Sequence, residues 1–221
     1  MAVPTTERAG KGLLAGGIAA IVFAVLFVVG FLLTTDTPEG DESNRAWVRH
    51  FADSDNRRTI VIGVILLALA AVAFLIFLGA LRERLRAAAP GAEWLSTVAF
   101  ASGVVFVAMI AVFSVGVGAI PAGIEFGDNP VVTNADVIRS LDSLGFGAML
   151  LFGAASAGLL IVTTSIVSGR AALLPRWLVV TGYVVGVIVL LGGLLFLPLA
   201  LFVLWMLAIG IVMLRGSRAT A

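Results

Sequence analysis

The residues best suited to chemistry in this sequence are carboxylates in the first long polar loop. Asp36, Glu39, Asp41 and Glu42 offer the oxygen ligands that Ca²⁺ and Mg²⁺ prefer, and His50 follows a few residues later. Their spacing does not match a calcium-binding loop, in which acidic residues at alternate positions precede a glycine and a glutamate at position twelve. A solvated acidic loop accounts for them better than a metal site, so we predict no metal ligands.

No other part of the sequence carries the pattern of a catalytic site. The chain has no cysteine, which excludes disulfides, thiolate catalysis and Cys-ligated metals. The serine-hydrolase elbow, the zinc-binding His-Glu-x-x-His pattern and the phosphate-binding loop are absent as well. We therefore predict a protein with no catalytic residues and no cofactor.

Charged residues are missing from the middle of every long apolar run. Arg82, Asp142 and Arg215 fall at the ends of such runs. A charge in the hydrocarbon core is costly and usually marks an ion or proton pathway. Its absence argues against proton-coupled transport, voltage sensing and a retinal-type Schiff base. The polar residues left within the runs are hydroxyls, which commonly bond to their own backbone; the alternative is that they line a polar cavity.

The elements that must position these residues are membrane helices. The chain is 61% hydrophobic and 12% charged, against about half and about a quarter in soluble domains. A spanning helix needs about 20 mainly apolar residues, and Gly192, Gly193 and Pro198 divide the last apolar run. We expect an all-α bundle of six spans, although one long tilted helix could replace the last two. The predicted spans are residues 13–34, 59–81, 95–120, 143–167, 178–194 and 198–214.

The distribution of charge predicts the orientation of the bundle. Arginine and lysine concentrate in one set of connecting segments, and acids concentrate in the other. Cytoplasmic segments carry the excess of basic residues, so both ends are expected inside a bacterial plasma membrane. The basic segments are the tails 1–12 and 215–221 and the loops 82–94 and 168–177. The acidic segments are 35–58 and 121–142. The residues between the tails, 13–214, form a single transmembrane domain.

Both acidic loops contain an amphipathic segment. Trp47 and Phe51 are four residues apart and share one helical face, so we expect a short helix that docks on the outer ends of the spans or in the headgroup layer. Residues 136–144 repeat the pattern, with Asn134 as the N-cap. Trp94 and Trp177 follow prolines at the starts of later spans and are predicted interfacial anchors. Three tandem hairpins would explain this recurrence, but so would any six-span protein.

Small residues recur at helical spacing in the later spans. Gly158 belongs to one small-xxx-small pair, and Gly182 and Gly186 form another. Such pairs let helix backbones approach closely in lipid, either within one chain or between two copies. We expect the fourth and fifth spans to form the centre of the bundle. The leucines of the second span are expected to face lipid, namely Leu66, Leu67, Leu69 and Leu75.

One segment carries a family resemblance. The stretch Ser168-Gly-Arg-Ala-Ala-Leu-Leu-Pro-Arg-Trp-Leu-Val-Val-Thr-Gly-Tyr-Val-Val-Gly186 resembles a segment of an actinobacterial-type family of six-span membrane proteins of unknown function. The resemblance implies a six-helix membrane fold and supplies no reaction.

These observations favour a non-catalytic integral membrane protein, an accessory or scaffold subunit that acts through protein or lipid contacts. A transporter or lipid-handling protein for a largely apolar solute is the alternative, and a membrane enzyme using the acidic loop and His50 is a third hypothesis. The expected partners are the lipid bilayer and another membrane protein or a second copy of the chain. A net charge of +1 gives no basic field for nucleic acid.

Overall fold

The computed structural model describes residues 5–88, 90–91, 93–192 and 196–219, and these residues form an all-helical bundle. Long apolar runs become helices because helices satisfy every backbone hydrogen bond internally. The elements are α1 (Thr5–Thr34), α2 (Asn44–Ala52), α3 (Ser54–Ala88), α4 (Glu93–Gly127), α5 (Ala135–Gly147), a π-helical segment (Ala148–Gly153), α6 (Ala154–Ala171), α7 (Arg176–Leu191) and α8 (Phe196–Ala219).

Five helical segments among the described residues are long and apolar enough to cross a membrane. Helix α7 is apolar but has only 16 residues, which corresponds to about 24 Å of rise against a hydrocarbon core of about 30 Å. The last apolar run is divided between α7 and α8, with residues 193–195 outside the described part of the chain. These five segments are Gly10–Thr34, Ser54–Ala88, Glu93–Gly127, Ala135–Ala171 and Leu197–Ser217.

The second amphipathic segment is not a separate interfacial helix. It forms α5, which continues through the π-helical segment into α6 without a break. The side chain of Asn134 caps its start by accepting a hydrogen bond from the backbone N–H of Asp136 at 2.9 Å, as predicted. The prediction of a separate interfacial helix is wrong for this segment. The helix is continuous because no turn residue interrupts the backbone between its amphipathic and apolar parts.

Helix α1 lies between α3 and α8 and runs antiparallel to both. A Cβ added at Gly30 would lie 2.9 Å from the carbonyl oxygen of Gly63 in α3, and one added at Gly17 would lie 3.0 Å from that of Gly210 in α8. Glycine is required at these positions because the backbones nearly touch. The pairing of Gly17 with Gly210 brings the start of α1 and the end of α8 to the same end of the bundle.

Phenylalanine rings, rather than small residues, fill the centre of the bundle. The rings of Phe23 and Phe74 have centroids 4.6 Å apart, and those of Phe106 and Phe202 are 4.8 Å apart. These four fully buried side chains come from α1, α3, α4 and α8. The expectation that the fourth and fifth spans form the centre is wrong for α7, which exposes a face containing Val180. Glycine governs how closely a pair of helices packs, but large rings occupy the space where four helices converge.

The second span faces α1 with part of its leucine-rich surface. Leu69 and Leu75 are exposed, as predicted, and Leu66 is partly exposed. The prediction is wrong for Leu67, which is 0% exposed because its side chain fills the space beside Gly30, where α1 has no side chain.

Candidate functional site at the acidic end

A network of side-chain hydrogen bonds and ion pairs lies at the end of the bundle formed by loops 35–43 and 128–134, helix α2 and the adjoining ends of α3, α4 and α5. We call this region the acidic end. Helix α2 starts where the hydroxyl of Ser43 accepts a hydrogen bond from the backbone N–H of Ala46 at 3.2 Å. This N-cap satisfies a donor that the first turn would otherwise leave unpaired.

Trp47 and Phe51 fasten α2 to the bundle. Both are buried, and they pack in a separate apolar cluster with Ile60 of α3 and Ile138 of α5. The indole N–H of Trp47 donates to the carbonyl oxygen of Glu39 at 3.2 Å, so the same side chain also holds the preceding loop. The structure therefore places these two residues on the ends of the longer helices.

A buried ion pair joins three helices at this end. Arg57 is 8% exposed, and its Nε and Nη2 atoms each lie 2.8 Å from Oε1 of Glu125 in α4. Its Nη1 donates to the carbonyl oxygens of Phe51 and Ala52 at 3.1 and 2.6 Å. The guanidinium thus satisfies carbonyls at the end of α2, where the helix dipole also favours a cation.

Asp53 starts α3 immediately after α2 ends. Its Oδ1 accepts hydrogen bonds from the backbone N–H groups of Asp55 and Asn56 at 2.8 and 3.3 Å. The bonds from Asn56 and Asp55 lower the pKa of the Asp53 carboxyl from its ordinary value, because they stabilise the charged form. The turn between α2 and α3 is consequently tight and fixed on both sides.

Arg139 connects α5 to the α2 region. Its Nη1 donates to Oδ1 of Asn44 at 2.6 Å, and its Nη2 donates to the carbonyl oxygen of Glu42. The guanidinium also lies over the Trp47 ring, 5.6 Å from the centroid, a cation–π arrangement. The loop carrying the acidic residues is therefore tied to both α2 and α5.

Several buried polar atoms at the acidic end have no hydrogen-bond partner among the described residues, namely His50 Nε2, Arg139 Nε and Asp142 Oδ1. Burial lowers the pKa of the His50 imidazole from its ordinary value, and the charges of Asp36 and Asp53 oppose this effect. In the described part of the chain, no three histidine or acidic side chains come together in a group able to hold a metal ion.

The outward surface of the acidic end combines charge with apolar area. The side chains of Asp36, Glu39, Asp41 and Glu42 are all exposed. Phe126, at the end of α4, is 75% exposed. Rigid backbone, exposed carboxylates and an exposed aromatic ring are suited to contact with another macromolecule.

The other predicted residues lie elsewhere in the bundle. Trp94 and Trp177 are 65% and 57% exposed in the first turns of α4 and α7. A Cβ at Gly158 would lie 2.5 Å from the backbone nitrogen of Leu190. Gly186 faces α6 in the same contact, and Gly182 faces Ser165 and Trp205.

Sequence reasoning missed Arg57, Glu125 and Arg139 as organising residues of the acidic end. Each of these charges lies within a few residues of the end of a predicted span, a position where a charged side chain can reach a neighbouring helix end. The position of a charge near the end of a span identifies residues that could bridge helices, but it does not identify their partners. Comparison of the chain with protein-family models, with curated proteins and with solved structures finds no match.

Proposed function

We propose that this protein is a non-catalytic accessory or scaffold subunit of a membrane assembly, with the acidic end as its contact surface for another protein. The observation that carries the proposal is the Arg57–Glu125 pair, which fixes the end of α2 to α3 and α4. Such a network holds a surface in one conformation, and that pre-organisation reduces the entropy lost on association.

The packing of the bundle supports a contact role over the alternative of transport. The centre of the described helices is filled by phenylalanine rings. The buried hydroxyls of Ser102, Ser156 and Thr163 donate to carbonyls of their own helices, whereas those of Ser114, Thr164 and Ser165 have no hydrogen-bond partner among the described residues. The first three side chains use their donors locally, as expected for packing residues.

Copurification tests this function. Isolation in mild detergent, with bound proteins identified, should recover a stoichiometric partner with the native chain. Replacing Asp36, Glu39, Asp41 and Glu42 by their amides should reduce partner recovery about tenfold while leaving the melting temperature unchanged, because all four are exposed.

The matched control is Asp55→Asn, which removes another exposed carboxylate from the same end. This variant should retain the partner. Equal recovery with the fourfold variant, or the absence of any stoichiometric protein partner, would contradict the proposed role of the acidic end.

The orientation proposed with this function is six crossings of a bacterial plasma membrane with both ends cytoplasmic. Its support is the separation of charge, since arginines concentrate opposite the acidic end, and the common location of the start of α1 and the end of α8. Because the native chain has no cysteine, Ala219→Cys provides a unique label site. It should react in opened cells and stay unreactive in intact ones; labelling from outside would reject the orientation.

A further inference from the structure

A groove between α3 and α4 lies at the opposite end from the acidic end. It is open to the surface and has a volume of about 780 Å³, which is within the range of small-molecule and cofactor sites. The α3 side is one helical face, because its residues recur at spacings of three and four. The lining residues are Leu75, Gly79, Arg82, Glu83, Arg86, Ala87, Glu93 and Phe100.

The groove changes character along its length. Leu75 and Gly79 lie toward the middle of α3, whereas Arg86 lies near its end. The distance along the helix from Leu75 to Arg86 is about 16 Å. A Cβ at Gly79 would meet no atom within 4 Å, so the apolar part of the groove has free space. This order, apolar toward mid-bundle and charged at the helix end, matches a phospholipid lying along the helix.

The charges of the groove balance. Two arginines, Arg82 and Arg86, and two glutamates, Glu83 and Glu93, line it. The Arg82 guanidinium lies 4.8 Å from the centroid of the Phe100 ring, which holds it between α3 and α4. Among the described residues, no ion pair joins these four side chains to one another. Both signs of charge are therefore available to a ligand.

We infer that the groove binds a zwitterionic phospholipid with a primary ammonium, that is, phosphatidylethanolamine, with phosphate at the arginines and ammonium at the glutamates. Arginine recognises phosphate through paired N–H donors. Carboxylates accept hydrogen bonds from a primary ammonium, which a choline headgroup cannot donate. The phosphate of an anionic lipid would pair with the arginines, but such a lipid has no cationic group to pair with the glutamates. The inference rests on the membrane location in the proposed function and adds a specific lipid.

Native mass spectrometry of the full chain tests this inference. The protein is exchanged into vesicles of equal parts phosphatidylethanolamine, phosphatidylcholine and phosphatidylglycerol with identical acyl chains, then extracted in mild detergent. The native chain should retain one phosphatidylethanolamine about tenfold more often than either other lipid. Equal retention of the three lipids, or preference for phosphatidylglycerol, would overturn the inference.

Two sets of variants locate the site. Gly79→Leu should abolish the preference by filling the groove, whereas Gly147→Leu, at another helical glycine with free space, should keep it. The double change Glu83→Gln and Glu93→Gln should shift the preference to phosphatidylglycerol, because only positive charge remains. Unchanged selectivity in Gly79→Leu or in the double variant would place the lipid elsewhere and reject the groove.

These measurements are independent of the partner protein. Loss of lipid selectivity with retained copurification would reject the lipid site and leave the proposed function intact. Retained lipid selectivity without a copurifying protein would reject the accessory role and leave the lipid site intact.

Discussion

Replacing Gly158 by alanine is expected to lower the melting temperature in detergent by about 6–12 °C. The added Cβ would lie 2.5 Å from the backbone nitrogen of Leu190 and 2.7 Å from the carbonyl oxygen of Gly186. Both atoms are backbone, so no side-chain rotation relieves the overlap and α7 must move away from α6. Overpacking of this kind costs about 3 kcal/mol at the upper end of its usual range.

The control for this change is Gly79→Ala, at a helical glycine with no atom within 4 Å of the added Cβ. Alanine is a better helix former than glycine by about 0.5–1 kcal/mol, so this variant should melt at or slightly above the native temperature. If Gly158→Ala has the same melting temperature as Gly79→Ala, the close approach of α6 and α7 described above is wrong.

Removing Arg57 is expected to be the second large effect. Arg57→Ala leaves the carbonyls of Phe51 and Ala52 and the partly buried carboxylate of Glu125 without their closest donor. Breaking a buried ion pair from one side costs about 3–5 kcal/mol because a charge stays buried without its partner. We expect a comparable loss of unfolding free energy and faster amide hydrogen exchange throughout residues 44–52.

Arg58→Ala is the matched control, since Arg58 also approaches Glu125, at 3.6 Å, but its side chain is 66% exposed. Exposed pairs contribute at most about 1 kcal/mol, so this variant should retain native exchange in α2. Equal destabilisation by the two changes would mean that Arg57 does not organise the acidic end.

The helices could be predicted from the sequence because lipid imposes one requirement on every span, a long apolar run with internal backbone bonding. The N-cap at Asn134 and the shared face of Trp47 and Phe51 are local features, readable within a few residues. The sequence does not show which face of each helix points toward the centre of the bundle. In a membrane both the lipid-facing and the packed sides are apolar, so Leu67 and Leu69 look alike in sequence although one is buried and the other exposed.

The network at the acidic end escaped prediction for a different reason. Arg57 and Glu125 are 68 positions apart, and Arg139 and Asn44 are 95 apart. The partner of a charge at a helix end depends on which helix ends meet, here those of α3 with α4 and of α2 with α5. The family resemblance of residues 168–186 stays a prediction.

The π-helical segment Ala148–Gly153 gives the fourth span a rotational offset. A wide turn of this kind accommodates about one extra residue, and one residue corresponds to about 100° around a helix axis. Ile138 in α5 packs in the cluster with α2, and Gly158 in α6 contacts α7, within one uninterrupted helix. The offset turns α6 relative to α5, so it helps to determine which residues of α6 meet α7.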